Sequence, residues 1–181
     1  FARPSGDAIA DRDTIKHRYF SEERKQALPD STFRIVADDV TVALDAETGE
    51  TLWEAVETGE TLNMLSSKRG LPGISGAYAD GRFFAMGLMG RVYAYDASTG
   101  DKLWDHTLED WHRQIGTLRD GHLEKRILPS ARELGPLSYQ RGGLVVAGGT
   151  LVAPDFRNGL IGLDPKDGTL RWRRGRRISS G

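Results

Sequence analysis

One eleven-residue pattern occurs three times in the chain and constrains its fold more than any other feature. The copies read ALDAETGETLW at residues 43–53, AYDASTGDKLW at 94–104 and GLDPKDGTLRW at 162–172. In every copy an aspartate precedes a glycine by four residues and a tryptophan by eight, and three of the four tryptophans occupy this position. Such self-similarity predicts a repeat architecture in which each copy belongs to one supersecondary unit.

The chemistry of the pattern predicts a β-hairpin. Each copy begins at the end of a segment of alternating residues, which is typical of a strand. The aspartate can accept hydrogen bonds from amides ahead of it in a turn, and the glycine supplies a left-handed residue that closes the turn. The tryptophan then lies on the returning strand. The motif residues are Ala43, Asp45, Gly49, Trp53, Ala94, Asp96, Gly100, Trp104, Gly162, Asp164, Gly168 and Trp172.

Further strands flank the motif and predict an all-β fold of four-stranded antiparallel units. Around the second copy we predict strands at 74–78, 82–87, 91–95 and 102–107, and around the third at 144–147, 151–156, 160–163 and 170–173. The first copy shows three strands, at 32–36, 40–44 and 51–55. A second Thr-Gly-Glu-Thr-Leu at 58–62 repeats residues 48–52 and predicts a second turn after this unit.

The pattern Ala-x-Asp-x-x-Thr-Gly-x-x-x-Trp resembles the tryptophan-docking repeat of PQQ-type (quinoprotein-like) β-propellers. The first two copies match it fully, whereas the third has Gly162 in place of alanine and Asp167 in place of threonine. The resemblance implies a partial β-propeller with blades at about 31–56, 74–108 and 143–174. It also implies that each indole lies flat between neighbouring blades, over the small residue and the glycine peptide. Closed propellers have about four to eight blades, so we expect this chain to be a segment of a longer ring with apolar faces open at its two ends.

The spacing of the copies predicts an insertion. Asp45 and Asp96 are 51 residues apart, but Asp96 and Asp164 are 68 apart. The additional residues fall at about 108–129, where apolar residues recur at helical spacing, so we predict a helical insertion there. Loops on a propeller face often carry function, which makes Trp111, His112 and Arg113 candidate contacts for a ligand or partner. Residues 1–30 read as a polar flank with a short helix at about 21–28.

Other candidate sites are weak. Asp7, Asp11 and Asp13 resemble a loose calcium loop, but arginines occupy the places where an EF-hand needs glycine and glutamate. The histidines at 106, 112 and 122 lack metal-ligand spacing, and the chain has no cysteine. The arginine-rich stretch at 171–177 reads as a solvated strand edge, and the net charge of −1 favours no nucleic acid. No apolar run is long enough to predict a transmembrane segment. We predict no catalytic residue and no metal ligand.

The sequence therefore predicts a non-catalytic binding or scaffolding propeller, with a protein partner or small ligand on one face. By resemblance, such a protein is exported to the periplasm or the extracellular space. The same repeat occurs in PQQ-dependent alcohol and sugar dehydrogenases, so part of such an enzyme is the alternative. No cofactor is evident from these residues. PQQ with calcium would require a cationic, calcium-lined pocket supplied by blades outside this segment.

Overall fold

The structure is a computed structural model that describes residues 1–9, 21–30, 34–62, 74–87, 90–107, 142–155 and 159–175. The described part contains thirteen strands and one six-residue helix, α1, so the fold class is all-β as predicted. The elements are β1 (Ala2–Ile9), α1 (Glu22–Ala27), β2 (Arg34–Leu44), β3 (Thr51–Leu62), β4 (Ile74–Ser75), β5 (Ala77–Ala79), β6 (Arg82–Met86), β7 (Val92–Asp96), β8 (Lys102–His106), β9 (Gly142–Gly143), β10 (Val145–Ala147), β11 (Thr150–Asp155), β12 (Gly159–Leu163) and β13 (Leu170–Gly175).

Two of the sheets are four-stranded antiparallel meanders, as expected for propeller blades. The second blade has the order β5-β6-β7-β8 and the third has the order β10-β11-β12-β13. Strand β4 precedes the second blade in the chain and β9 precedes the third, and these two strands form a parallel pair. The Leu144 amide also donates to the Ser75 carbonyl at 2.9 Å. The entrances to the second and third blades are therefore hydrogen-bonded to each other.

The first sheet, β1-β2-β3, differs from the prediction, and we call it the first blade. The strands expected at 32–36 and 40–44 are one strand, β2, which runs without a break through Asp38 and Asp39. Its residues 34–39 pair with β1, which lies within the stretch interpreted as a polar flank. Residues 58–62 belong to strand β3 rather than to a turn, and Gly59 forms an irregularity there with φ of +67°. Helix α1 falls within the predicted range of 21–28.

The core lies between the blades. Successive residues on the third strand of a blade point alternately to the preceding blade and to the following blade. In the second blade, the rings of Tyr93 and Tyr95 face the first blade and are each 1% exposed. In the third blade, the equivalent residues Ile161 and Leu163 are fully buried. The insertion predicted at 108–129 lies outside the described residues. No helix in the described ranges is long and apolar enough to cross a membrane.

Candidate functional site

The three motif turns share one hydrogen-bonding scheme. The carboxylate of Asp45 accepts hydrogen bonds from the amides of Glu47 and Thr48 at 2.9 and 2.8 Å. Asp96 does the same with the two amides at the same offsets, and Asp164 accepts from the Lys166 amide at 2.8 Å. Asp96 also accepts a hydrogen bond from the Ser98 hydroxyl, which is the largest cause of its lowered pKa. The amide hydrogen bonds likewise favour the charged carboxylates and hold the pKa of Asp45 and Asp164 below its ordinary value. The aspartate therefore organises the turn from its own local backbone.

Each motif glycine closes its turn with a left-handed backbone. The φ angles of Gly49, Gly100 and Gly168 are +75°, +79° and +74°, and each amide donates to the carbonyl of the motif aspartate at 2.9 Å. A side chain in this conformation costs about 1–2 kcal/mol. The turn chemistry alone therefore favours glycine at all three positions.

A β-bulge precedes every motif tryptophan. Ala43 pairs with Trp53 and Leu44 with Thr51, so Leu52 has no partner in the opposite strand. The same irregularity occurs between β7 and β8 and between β12 and β13. Strand alternation alone would place Thr51 and Trp53 on one face, but the additional residue sends them to opposite faces. The bulge therefore aims the indole at the next blade and places it opposite the small motif residue of its own sheet.

The indoles of the first two copies contact the next blade. The Nε1 of Trp53 donates to the Ala97 carbonyl at 3.0 Å, and a Cβ added to Gly100 would lie 2.7 Å from the Trp53 ring. The Nε1 of Trp104 donates to the Pro165 carbonyl at 3.2 Å, and a Cβ on Gly168 would lie 2.6 Å from that ring. Glycine is therefore required at positions 100 and 168 for two reasons: its backbone angle and the space that the neighbouring indole occupies.

The third indole has a different environment. A Cβ on Gly162, in its own sheet, would collide with the Trp172 ring. Among the described residues, Trp172 has no hydrogen-bond acceptor from a following blade. All three indoles are half-buried rather than fully buried. This follows from their place on the last strand of each sheet, whose outer edge has no neighbouring strand.

A polar cluster completes the interface between the first and second blades. The hydroxyl of Tyr93 donates to Asp39 at 3.2 Å, and that of Tyr95 donates to Glu57 at 3.4 Å. Lys102 pairs with Glu57 at 2.7 Å. Burial, with the negative charge of Asp39 or Glu57 nearby, raises the pKa of both tyrosine hydroxyls. Both hydroxyls therefore stay protonated and act as donors to carboxylates.

The cluster extends to one end of the interface. Arg91 pairs with Glu60 of the first blade at 2.9 Å and with Asp105 of its own blade at 3.1 Å. A Cβ on Gly87 would collide with the Asp39 carboxylate, so the backbone of the second blade approaches this acid closely. Sequence reasoning missed the cluster because its members come from distant segments that share no local motif. An aspartate pair within an alternating strand was its one visible signal.

Acid is expected to destabilise the chain through the turn aspartates. Their pKa values in the folded protein lie below the value of about 3.9 for an unfolded aspartate. Their stabilising contribution is therefore complete above that pH and is lost as the pH falls through the lowered values. Urea unfolding over a pH series measures this, and Asp96→Asn should show a smaller loss of stability in acid than the wild type. The control is Glu47→Gln, a change at an exposed residue of the first turn, which should lose as much stability in acid as the wild type. If Glu47→Gln and Asp96→Asn reduced the acid sensitivity equally, the turn aspartates would not be its cause.

Removing the Tyr93 hydroxyl is expected to destabilise the interface between the first two blades. In Tyr93→Phe, Asp39 loses a buried donor, which should lower the free energy of unfolding by about 1–2 kcal/mol. Tyr78→Phe is a matched control in the same blade, because Tyr78 is 67% exposed. Denaturant unfolding compares the two variants, and equal effects would show that the buried hydroxyl contributes no net stability.

The remaining candidates do not form a second site in the described residues. Asp7 is an exposed residue of β1, and His106 is a half-buried residue of β8. Within the described ranges, no group of three histidine, aspartate or glutamate residues is placed to hold a metal ion. The candidate contacts Trp111, His112 and Arg113 lie outside the described residues. The site that the structure describes is therefore the set of interfaces between blades.

Comparison with known proteins identifies relatives of this architecture. Residues 36–179 match the family described as outer membrane protein assembly factor BamB. A curated relative, the lanthanide-dependent methanol dehydrogenase of Methylacidiphilum fumariolicum (strain SolV), is 38% identical over 79 residues. That alignment covers 40% of this chain and 12% of the dehydrogenase.

Two solved structures superimpose on about three quarters of this chain. BamB from Moraxella catarrhalis superimposes with a TM-score of 0.48 and 13% identity, covering 77% of this chain and 32% of that chain. Quinohemoprotein alcohol dehydrogenase from Comamonas testosteroni gives a TM-score of 0.45 and 18% identity, covering 77% of this chain and 19% of that chain. The chain thus spans about a third or less of the length of these proteins.

Proposed function

The chain belongs to the family described as outer membrane protein assembly factor BamB, and on this basis we propose that it supplies consecutive blades of a non-catalytic propeller that binds other proteins. We place this propeller outside the cytoplasm, in the periplasm or the extracellular space. Its contribution to outer-membrane protein assembly is the biological role that the family description favours. Protein partners on the propeller face are part of the same proposal.

The contacts of the motif side chains support this proposal, because they lie within the turns and between the blades. The aspartate carboxylates accept hydrogen bonds from their own turns, and the indoles of Trp53 and Trp104 donate to the next blade. We interpret these contacts as tryptophan docking, in which the repeated residues hold the blades in a fixed order. The repeated residues are therefore committed to blade contacts, which give a rigid surface for a partner. The choice of the non-catalytic candidate rests on the family match over residues 36–179.

The polar cluster does not fit PQQ. This cofactor carries three carboxylates, so a pocket for it has to offer an excess of positive charge. The interface between the first two blades offers the reverse, because its cations Arg91 and Lys102 already pair with Glu60, Asp105 and Glu57. A further carboxylate would meet net negative charge there. The interface between the first two blades is therefore unsuited to hold this cofactor.

The second candidate function is that this chain forms part of a quinoprotein dehydrogenase, and one observation favours it. The 38% identity with the methanol dehydrogenase is substantial, although it covers 12% of that enzyme. Blades outside this segment would then have to hold the cofactor and the metal. The tryptophan interfaces would have the same role in either protein, since fold does not decide function.

The experiment that separates the two candidates uses the full-length protein that contains this chain. The purified protein is titrated with PQQ in the presence of Ca²⁺ or La³⁺, while the near-ultraviolet absorbance of bound quinone and the dye-linked oxidation of alcohols are followed. In parallel, the gene is deleted in its host, and folded outer-membrane proteins are quantified with and without a wild-type copy.

We expect no stoichiometric quinone binding, no alcohol oxidation, and a loss of folded outer-membrane proteins that the wild-type copy restores. The Trp104→Ala variant should restore less than the wild type, whereas the exposed variant Tyr78→Phe should restore fully. Stoichiometric quinone together with dye reduction would overturn the proposal and establish the dehydrogenase. Unchanged outer-membrane proteins would contradict the assembly role.

A further inference from the structure

The two interfaces of the second blade differ in their chemistry, and we propose that its interface with the first blade is an alkali-sensitive joint. This joint opens at high pH, while the interface with the third blade stays closed. Tyr93 and Tyr95 are the groups that make the joint sensitive. The inference concerns the coupling of blades within one chain and does not depend on the proposed function.

Both tyrosine hydroxyls of the joint are enclosed together with carboxylates. Tyr93 and Tyr95 are each 1% exposed, and Asp39, which accepts from the Tyr93 hydroxyl, is 7% exposed. The backbone at Gly87 closes over the Asp39 carboxylate, because a Cβ added there would collide with it. The Tyr95 hydroxyl donates to Glu57 of the first blade at 3.4 Å. A tyrosinate formed in the closed joint would therefore face a carboxylate where it needs a hydrogen-bond donor.

The surroundings of the two hydroxyls carry an excess of negative charge. The groups that face them are Asp39 and Thr41 of β2, Glu57 and Glu60 of β3, and Arg91, Lys102 and Asp105 of the second blade. Four carboxylates against two cations leave two negative charges in excess. Burial first, and then the nearby carboxylates, raise the pKa of both tyrosine hydroxyls while the joint is closed.

The direction of the pH effect follows from these raised pKa values. A tyrosine exposed to water by opening loses its proton at about pH 10. The hydroxyls therefore stabilise the closed joint fully below about pH 10, and this contribution is lost as the pH rises toward their raised values. Above about pH 10, each tyrosine releases a proton on opening, so each should raise the opening equilibrium constant about tenfold per pH unit.

The interface between the second and third blades lacks this sensitivity in the described residues. Its centre is apolar, and Phe84, Ile161 and Leu163 are fully buried there. By strand alternation, the charged or titratable groups of the described residues that face it are Arg82, His106, Asp155 and Arg173. Between about pH 9 and about pH 12, aspartate and arginine side chains stay charged and histidine stays neutral. A rise through this range therefore changes no charge at this interface.

Three equivalent positions allow the two interfaces to be followed separately. Glu47, Ser98 and Lys166 are exposed, and each lies two residues after the motif aspartate of its blade. Because the chain has no cysteine, cysteines introduced at two of these positions carry a nitroxide pair and no other label. The pair at 47 and 98 spans the joint, and the pair at 98 and 166 spans the other interface.

Pulsed electron–electron double resonance measures the distance between the two labels on the whole chain of residues 1–181, at pH values from about 8 to about 11.5. Circular dichroism reports the folding of each sample. We expect the distance between positions 47 and 98 to lengthen above about pH 10 and to return on neutralisation. The distance between positions 98 and 166 should stay constant. The fraction of lengthened distances gives the opening equilibrium constant.

Variants of the two tyrosines identify the groups responsible. Tyr93→Phe and Tyr95→Phe should each reduce the rise of the opening constant by about tenfold per pH unit, and the double variant should reduce it by about 100-fold. Tyr78→Phe is the matched control, since Tyr78 is 67% exposed and should leave the rise unchanged. Lys102 is present in every variant, so its contribution is the same in all of them.

Lengthening of both distances at the same pH would overturn the inference, because the chain would then unfold as a whole. A constant distance between positions 47 and 98 up to about pH 11.5 would also overturn it, as would tyrosine variants that keep the wild-type rise. If the double variant does not fold at neutral pH, the near-ultraviolet absorbance of tyrosinate in the wild type replaces it. Ionisation of all five tyrosines while the joint stays closed would contradict the inference, whereas ionisation of the last two together with opening would support it.

Discussion

Replacing Trp104 by alanine is expected to lower the free energy of unfolding by about 3 kcal/mol, at the lower end of the range for buried Trp→Ala changes because the indole is half-buried. Two contributions are lost. One is the packing of the ring against Gly168 of the third blade, and the other is the hydrogen bond from Nε1 to the Pro165 carbonyl. Because both contacts cross between blades, the change should uncouple the second blade from the third.

Trp172→Ala is the matched control for this prediction. Trp172 occupies the same motif position and the same bulge, but in the described residues its ring meets Gly162 of its own sheet and no following blade. Urea unfolding of both variants should show that Trp172→Ala loses less than half as much unfolding free energy as Trp104→Ala. Equal losses would mean that the ring contributes through its own sheet and that the contact with the next blade adds nothing.

Gly100→Ala is expected to cost about 2–5 kcal/mol, far more than a single methyl group normally would. The left-handed backbone of Gly100 alone penalises any side chain by about 1–2 kcal/mol. The added Cβ would also lie 2.7 Å from the Trp53 ring, so the indole has to move away from its seat, and such overpacking costs typically about 1–3 kcal/mol.

Gly49→Ala separates the two causes, because Gly49 shares the backbone angle but has nothing within 4 Å of an added Cβ. We expect this variant to lose only the backbone contribution of about 1–2 kcal/mol. The difference between the two variants in denaturant unfolding measures the cost of displacing the indole. If Gly49→Ala were as destabilising as Gly100→Ala, backbone strain would explain the whole effect.

Local chemistry explains why part of this structure could be predicted from sequence. An aspartate and a glycine four residues later determine a turn almost by themselves, since the partners are the backbone amides of the same segment. The period of two then assigns Tyr93 and Tyr95 to one face of their strand. Because both features depend only on neighbours in the chain, the strands of the second and third blades could be located from the motif outwards.

Nonlocal contacts explain what the sequence did not show. Asp38 and Asp39 read as a break between two strands, but they lie inside β2 because distant groups satisfy them. The Gly59 amide donates to Asp38 at 2.9 Å, and the Tyr93 hydroxyl donates to Asp39. Strand β1 escaped prediction for a similar reason, since its polar residues gain their partners from β2. The bulge before each tryptophan was equally hidden, because alternation along one strand does not reveal an unpaired residue.

The tryptophan contacts also determine where the chain should open first. Trp53 and Trp104 each join two neighbouring sheets and no more, so cooperativity passes from blade to blade as it does in a linear array. The second blade receives Trp53 from one side and places Trp104 on the other, whereas the first and third blades each share a single contact of this kind. Amide protons of β6 and β7 should therefore exchange with solvent last, and exchange should begin at the two outer sheets and proceed inwards.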